Sequence, residues 1–379
     1  MTTQPPRAGS PPPRSDGVDA ASRPLRGRGS RRNPTGRFER LASVADEETV
    51  ESDRRERTAR EERPRGPATL YLRDPTRRAL STNDSPDLAF DTSLNPYRGC
   101  EHGCAYCYAR PTHEYLGFSA GLDFETRILV KQRLPELLRR ELAAPRWKPR
   151  VIAMSGVTDA WQPIERKLGI SRRCLEVLAD FRNPVSVITK NALVLRDRDC
   201  LARLAEHGAA AVQLSVTSLD AELQRALEPR ASHPDERLRA IEGLARAGIP
   251  VGVILGPVIP GLTDHEIPRI IEAAASAGAS WASHIVLRLP HGVADLFADW
   301  LETHRPERRR RVLAQVRELR GGTLYDARFG ARLRGEGIRA QQVADLVALV
   351  RRRRGLAAAS PDLNAAAFRR PGGEQLSLL

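Results

Sequence analysis

The sequence predicts an α/β protein: a partial (β/α)6 TIM-type barrel with a helical C-terminal extension and a disordered N-terminal arm. Three observations carry that expectation. Between Val151 and Pro290, short β-branched runs alternate with longer amphipathic stretches at intervals of roughly 30 to 40 residues, the spacing of βα units. Gly208, Gly248 and Gly278 follow the amphipathic stretches, where a left-handed residue ends a helix. One more strand-like run, Leu88 to Leu94, stands before them and completes a set of six parallel strands.

Taken in order, residues 1–66 combine Pro, Gly, Ser, Arg and Glu with almost no aromatic or branched apolar side chains, so they bury too little surface to offset their ordering entropy. They are expected to form a disordered arm. A globular core is expected over 67–290, its later strands at 151–155, 185–189, 210–216, 250–255 and 282–287. Apolar residues repeat at helical spacing over 166–181, 197–207, 236–247 and 266–277. Residues 291–356 read as helical, with candidates at 294–303, 307–319 and 340–353, and 357–379 as a flexible tail. An open doubly wound sheet fits the same alternation. In both architectures the chemistry belongs at the carboxyl ends of the strands.

No apolar run among the 379 residues approaches the length needed to span a bilayer, and Met1 to Ser10 has no apolar signal-peptide region, so a cytoplasmic protein is expected. A net charge of +14 points to a polyanion partner such as nucleic acid. However, only Lys131, Lys148, Lys167 and Lys190 are lysines among 61 basic residues, and arginine dominance with abundant alanine fits a GC-rich genome equally. Charge alone leaves both explanations standing.

Three of the five cysteines, Cys100, Cys104 and Cys107, form a C-x3-C-x2-C run on a loop after an expected strand. Three thiolates on one short loop can hold three corners of a cubane iron–sulfur cluster, and Gly99 and Gly103 let the backbone wrap it. The fourth iron stays open to the amino and carboxylate groups of S-adenosylmethionine (SAM). A structural zinc site would instead need a fourth ligand, His102 or His113, and neither has a usual finger spacing. Cys174 and Cys200 lie on helix faces and read as core residues.

The run from Asn95 to Arg110, with its C-x3-C-x-Tyr-C segment, resembles the defining motif of radical SAM enzymes. Together with Val157-Thr-Asp159 and Gln162-Pro-x-Glu165 it resembles the spore photoproduct lyase-like branch, over roughly residues 85 to 290. The resemblance implies a 4Fe–4S cluster on the three cysteines and places Tyr106 near the adenine of SAM. It assigns Ser155, Gly156 and Thr158 to the segment that meets the methionine amino group, although this stretch departs from the commonest Gly-Gly-Glu form. Asp159 and Glu165 fit equally as carboxylates capping the following helix. Thr189, Lys190, Ser215 and Thr217 at strand ends are placed for ribose or carboxylate oxygens, Arg230 offers a forked donor for a carboxylate or is equally a plain surface arginine, and Gly256 lets the backbone approach the adenine.

The activity so implied is reductive cleavage of SAM to methionine and a 5′-deoxyadenosyl radical, with flavodoxin or ferredoxin as electron donor and a nucleic acid as substrate. A spore photoproduct lyase also uses a hydrogen-donating cysteine, and neither Cys174 nor Cys200 lies at an expected strand end, so the same photoproduct is not assumed. A radical SAM enzyme acting on a peptide or small molecule, and a zinc-stabilised nucleic-acid-binding module, are the rival readings. Finally, Gln375, Leu376, Leu378 and Leu379 resemble the short peptide with which bacterial repair and replication proteins dock on the DNA sliding clamp, with Leu379 where Phe is commoner.

Overall fold

The computed structural model describes residues 25–39 and 67–371. Six strands, β1 (Thr92–Leu94), β2 (Ile152–Met154), β3 (Val185–Thr189), β4 (Ala210–Ser215), β5 (Val251–Val258) and β6 (Trp281–Val286), pair in sequence order, every pair parallel. An antiparallel strand, Leu80–Thr82, flanks β1. The sheet stays open between that strand and β6, giving a partial barrel. Its crossovers are α1 (Leu134–Ala143), α2 (Ile170–Phe181), α3 (Arg198–Ala205), α4 (Pro234–Arg246) and α5 (Ile267–Ser276). The strands are almost wholly buried, as a parallel sheet covered by helices requires. Gly208, Gly248 and Gly278 all take positive φ at helix ends, as their positions in the sequence indicated.

The helical extension comprises α6 (Val293–His304), α7 (Pro306–Glu318) and α8 (Gly337–Arg353). It shares the core instead of standing apart. Phe297, Trp300, Leu301 and Val316 of α6 and α7 pack in one cluster with Cys104, Ala105 and Tyr106, while Val343 and Val347 of α8 join the barrel core. A separate small sheet joins Leu70–Arg73, Arg127–Val130 and Tyr97–Arg98 beside the cysteine loop. Among the described residues no helix is long and apolar enough to cross a membrane.

Both chain ends depart from expectation. Within the arm expected to be disordered, residues 25–39 are held against the cysteine loop: the amides of Gly29 and Ser30 donate to Glu125 at 3.0 and 2.9 Å, and Leu122 N donates to Arg32 O at 3.1 Å. The segment closes with Arg37 on Glu114 at 2.5 Å and Phe38 against Tyr115. Backbone groups make most of these bonds, so the apolar composition that foretells a core does not register them. Residues 1–24 and 40–66 lie outside the described residues.

The tail expected to be flexible is likewise held as far as Pro371. Ala357 bridges to the start of β6, Asn364 N donates to Gly208 O ahead of β4 at 2.9 Å, and Arg369 N donates to Phe181 O ahead of β3 at 2.9 Å. Arg370 reaches Trp147 O ahead of β2 at 3.3 Å, and Phe368 packs on Phe181. This segment therefore crosses the amino-terminal base of the barrel. The clamp-like Gln375, Leu376, Leu378 and Leu379 lie outside the described residues.

Candidate metal centre and barrel mouth

The cysteine loop leaves the carboxyl end of β1 and folds over the barrel mouth. Gly99 and Gly103 turn it at φ 79° and 67°, and a Cβ on Gly103 would stand 2.7 Å from the Glu125 carboxylate. Only glycine fits there. Arg110, three residues past Cys107 and wholly buried, wires the loop: its guanidinium donates to Gly103 O, to Cys104 O at 2.8 Å, to Gly121 O at 2.9 Å and to Glu125 at 2.5 Å. Burial pushes Glu125 above the usual carboxylate range despite that arginine. Gly29 of the N-terminal segment rests on the outside of the loop so closely that a Cβ would come 1.7 Å from Gly103 O. From the other side, Ala105 N donates to Leu227 O at 2.9 Å and Arg230 N to His102 O at 3.2 Å.

Cys100 and Cys104 are buried and Cys107 is half-buried. Burial raises all three thiols above the ordinary cysteine range. Opposing it, the amides of Asp159 and His102 face Cys100, and those of Ala109 and Arg110 face Cys107. Among the described residues, no three His, Cys, Asp or Glu side chains converge on one metal position. A single zinc ion needs its thiolates at about 2.3 Å from one centre, whereas a cubane gives each thiolate its own iron. Both histidines of the zinc reading have at least one ring nitrogen engaged, and His113 Nδ1 is buried without a partner among the described residues. His102 Nε2 accepts from Asn191 at 3.2 Å and its Nδ1 faces Asp159 at 3.5 Å, while His113 donates to Arg127 O at 3.0 Å. Three thiols with amide donors in a glycine cradle fit an iron–sulfur cluster.

Burial also lowers His113 to about 4. An unfolded histidine titrates near 6.5, so the unfolded chain binds the extra proton between about pH 6.5 and 4, and stability is lost as pH falls through that window. We expect this residue to account for roughly 3 kcal/mol of acid destabilisation. Denaturant titrations at neutral pH and near pH 4 should show a smaller drop for His113→Gln; part persists, because burial lowers His102 too.

Several predicted site residues meet in one polar wall. Lys190 Nζ donates to Ser215 Oγ at 2.9 Å and lies 5.9 Å from the Tyr106 ring. The Ser215 hydroxyl donates to Gly256 O at 3.0 Å, Thr217 Oγ1 stands 3.0 Å from the same oxygen, and a Cβ on Gly256 would be 3.1 Å from Ser215 Oγ. Tyr106 OH donates to Glu228, which also takes Thr217 Oγ1 at 2.8 Å and pairs with Arg237, both of that ion pair fully buried. Burial pulls Glu228 up, but Arg237, Lys190 and the Tyr106 hydroxyl outweigh it and leave it at about 2. Thr189 is engaged by Asp159 at 2.8 Å, which also takes the amides of Lys190 and Trp161 at 2.8 and 2.9 Å.

Other predicted residues are placed differently. Ser155, at φ 80°, accepts the Ala160 amide at 2.9 Å; Gly156 O accepts from Tyr108 OH at 2.7 Å; Thr158 donates to Tyr97 O at 3.0 Å. Arg230 does not point its fork at the wall. It pairs with the buried Glu101 at 3.0 Å behind the loop. Glu165 caps α2 through the amides of Ile170 and Ser171, each at 3.1 Å. Missed from sequence were Arg110, Glu125, Arg237 and Arg288, which stacks 4.9 Å over Tyr108 past the end of β6. Arg237 carried a signal: it shares the buried stripe of α4 with Ala240, Ile241 and Leu244, where a lone charge demands a buried partner.

An open parallel barrel with a three-cysteine loop over its mouth defines a class of radical enzymes. Residues 94–274 match the Radical SAM superfamily. An uncharacterized protein of Mycobacterium tuberculosis is 34% identical over 267 residues, 70% of this chain and 76% of that protein. One from Methanocaldococcus jannaschii is 31% identical over 173 residues, 46% of this chain and 62% of that protein. The chain belongs to the radical SAM superfamily, whose members use a 4Fe–4S cluster and SAM. In fold it is similar to spore photoproduct lyase, solved in complex with a dinucleoside spore photoproduct, at TM-score 0.51 and 16% identity over 76% of this chain and 80% of that one.

Proposed function

We propose that this chain holds a 4Fe–4S cluster on Cys100, Cys104 and Cys107, cleaves SAM reductively, and acts on DNA or another nucleic acid in repair or modification. The observation that carries the reading is the buried cysteine loop, with backbone amides facing Cys100 and Cys107, beside the wall of Tyr106, Lys190, Ser215, Thr217 and Gly256. Cys100, Cys104 and Cys107 would hold the cluster, which with SAM would supply radical chemistry there, flavodoxin or ferredoxin being the electron donor. The amides facing Cys100 and Cys107 stabilise thiolate charge that burial opposes. Lys190 brings a cation to the mouth, and Glu228 fixes Tyr106 and Thr217 so that the wall is rigid before SAM enters. The enclosing loops limit water around a reactive intermediate.

The net charge of +14 supports the nucleic-acid part, as does the fold shared with an enzyme solved with a dinucleoside photoproduct. Anaerobically reconstituted protein should release methionine and 5′-deoxyadenosine on reduction, with a nucleic acid altering the yield. Cleavage indifferent to DNA and RNA would move the substrate to a peptide or small molecule; stoichiometric zinc in a colourless protein would end the enzyme reading. A cytoplasmic enzyme fits this chemistry.

The sliding clamp is the proposed delivery partner, through Gln375, Leu376, Leu378 and Leu379. Arg369 and Arg370, the last described side chains ahead of that peptide in sequence, hold the chain at the barrel base. Calorimetric titration of the sliding clamp is expected to show binding by the full chain and none by a chain ending at Glu374. Equal binding by both would remove the peptide from the mechanism.

A further inference from the structure

The outer edge of the barrel carries a feature the cluster chemistry does not use. A groove of about 810 Å³ runs between the edge strand Leu80–Thr82 and the C-terminal end of α1, where Arg77, Arg78, Arg140, Arg146 and Arg150 surround Trp147. A recess of about 230 Å³ continues it through the shared Arg77 and adds Arg73 and Arg133. This recess adjoins the start of the cysteine loop, since Lys131 in its wall donates its amide to Pro96 O at 3.1 Å. At the far end, Arg150 stands just ahead of β2, at the base. The track thus follows the barrel edge from the mouth side to the base.

Its positive charges outnumber the carboxylates in its walls, Glu141 and Asp74. Arg73, Arg77, Arg78, Arg133 and Arg146 are exposed and, among the described residues, have no carboxylate partner. The carboxylates nearby are engaged: Glu141 takes the amides of Ala79 and Leu80 at 2.6 and 3.2 Å, Asp74 holds Arg98 at 2.7 Å, and Asp91 holds Arg150 at 3.0 Å. Arg139, Arg246 and Arg339 on other faces are paired with acids, whereas Arg310, Arg351 and Arg352 of the helical extension, like the groove arginines, have no carboxylate partner among the described residues. Unpaired guanidinium forks in a concave wall focus positive potential and match phosphate oxygens two at a time. Base stacking has no platform here. The Trp147 indole N–H is given to Asn183 at 3.1 Å and its ring is faced by Arg150 at 5.7 Å.

We propose that this groove binds the phosphodiester backbone of a nucleic acid independently of sequence and leads it toward the mouth. The proposal rests on the nucleic-acid reading above and adds the surface that does the holding. Each phosphate that an arginine no longer neutralises lowers the slope of log affinity against log salt by about 0.9 for duplex DNA and about 0.7 for single strands.

The test is fluorescence anisotropy of the full reconstituted chain with a short labelled DNA duplex and with a single-stranded RNA of equal length, across a salt series. R77Q/R78Q/R140Q/R146Q is expected to lose about 3 to 4 units of slope on duplex DNA, while R77K/R78K/R140K/R146K retains the slope. R309Q/R310Q/R351Q/R352Q, which removes equal charge from the helical extension, should stay near wild type. Unchanged iron content and substrate-free SAM cleavage report an intact fold. Should the quadruple Gln chain lose its iron, R78Q and R146Q alone carry the test, at about 0.9 unit each. A wild-type slope in the groove variants overturns the groove, whatever the extension variant does. Absence of salt-dependent binding by the wild-type chain to either nucleic acid overturns the nucleic-acid reading and the groove with it. The arm that binds more tightly identifies DNA or RNA as the source of the backbone.

Discussion

Cys100→Ala, Cys104→Ala and Cys107→Ala are each expected to reduce iron in anaerobically reconstituted protein to background and to abolish release of 5′-deoxyadenosine. A cubane held by three thiolates cannot lose one and keep its open fourth iron. Cys174→Ala and Cys200→Ala should retain the cluster, because both side chains are buried on α2 and α3 in the main barrel core, apart from the clusters that hold Cys100 and Cys104. Their cost is packing alone, so iron content and melting temperature separate the two sets. Equal iron loss from all five variants would refute the assignment.

Glu228→Gln should have the second largest effect, and on two readouts. Arg237 would keep its charge in a fully buried position without a counter-charge, which costs about 3–5 kcal/mol of stability. The amide keeps a single neutral oxygen, so either Arg237 or the Tyr106 and Thr217 hydroxyls would face an NH2 in place of an acceptor, and the KM for SAM should rise in whatever fraction folds. Replacing both partners, as in Glu228→Leu with Arg237→Leu, should recover much of the stability and none of the SAM affinity. Held at about 2, the wild-type carboxylate keeps its stabilising contribution above the unfolded value near 4.3 and loses it only as pH falls toward 2. A double variant that bound SAM normally would show that Glu228 only supports the fold.

The barrel is legible because its strands are β-branched and its helices end on glycine, two signals that backbone physics forces on sequence. Cys100, Cys104 and Cys107 are legible because ligand spacing on a single loop is local. Tyr106, Lys190, Ser215, Thr217 and Gly256 stand out as strand-end or motif positions, yet nothing in their spacing hints that Glu228 binds Tyr106 and Thr217 from more than one element. Arg230 is misplaced from sequence because its partner, Glu101, is more than a hundred residues earlier. The segment 25–39 passes for disordered because its anchors are amides on Glu125 and a glycine fitted against Gly103 O. Hydropathy does not see such contacts.

The crossing of the barrel base by residues 357–370 has a consequence for how the molecule breathes. An open sheet has no closing pair to fix its girth, and here one surface segment ties the lower ends of β2, β3, β4 and β6 together, as a hoop holds staves. Opening motions then pivot about a fixed rim and are largest at the mouth, where a bulky substrate must enter. Amides of Ala357, Asn364 and Arg369 should accordingly exchange with solvent as slowly as those of the strands they tie, although they lie at the surface.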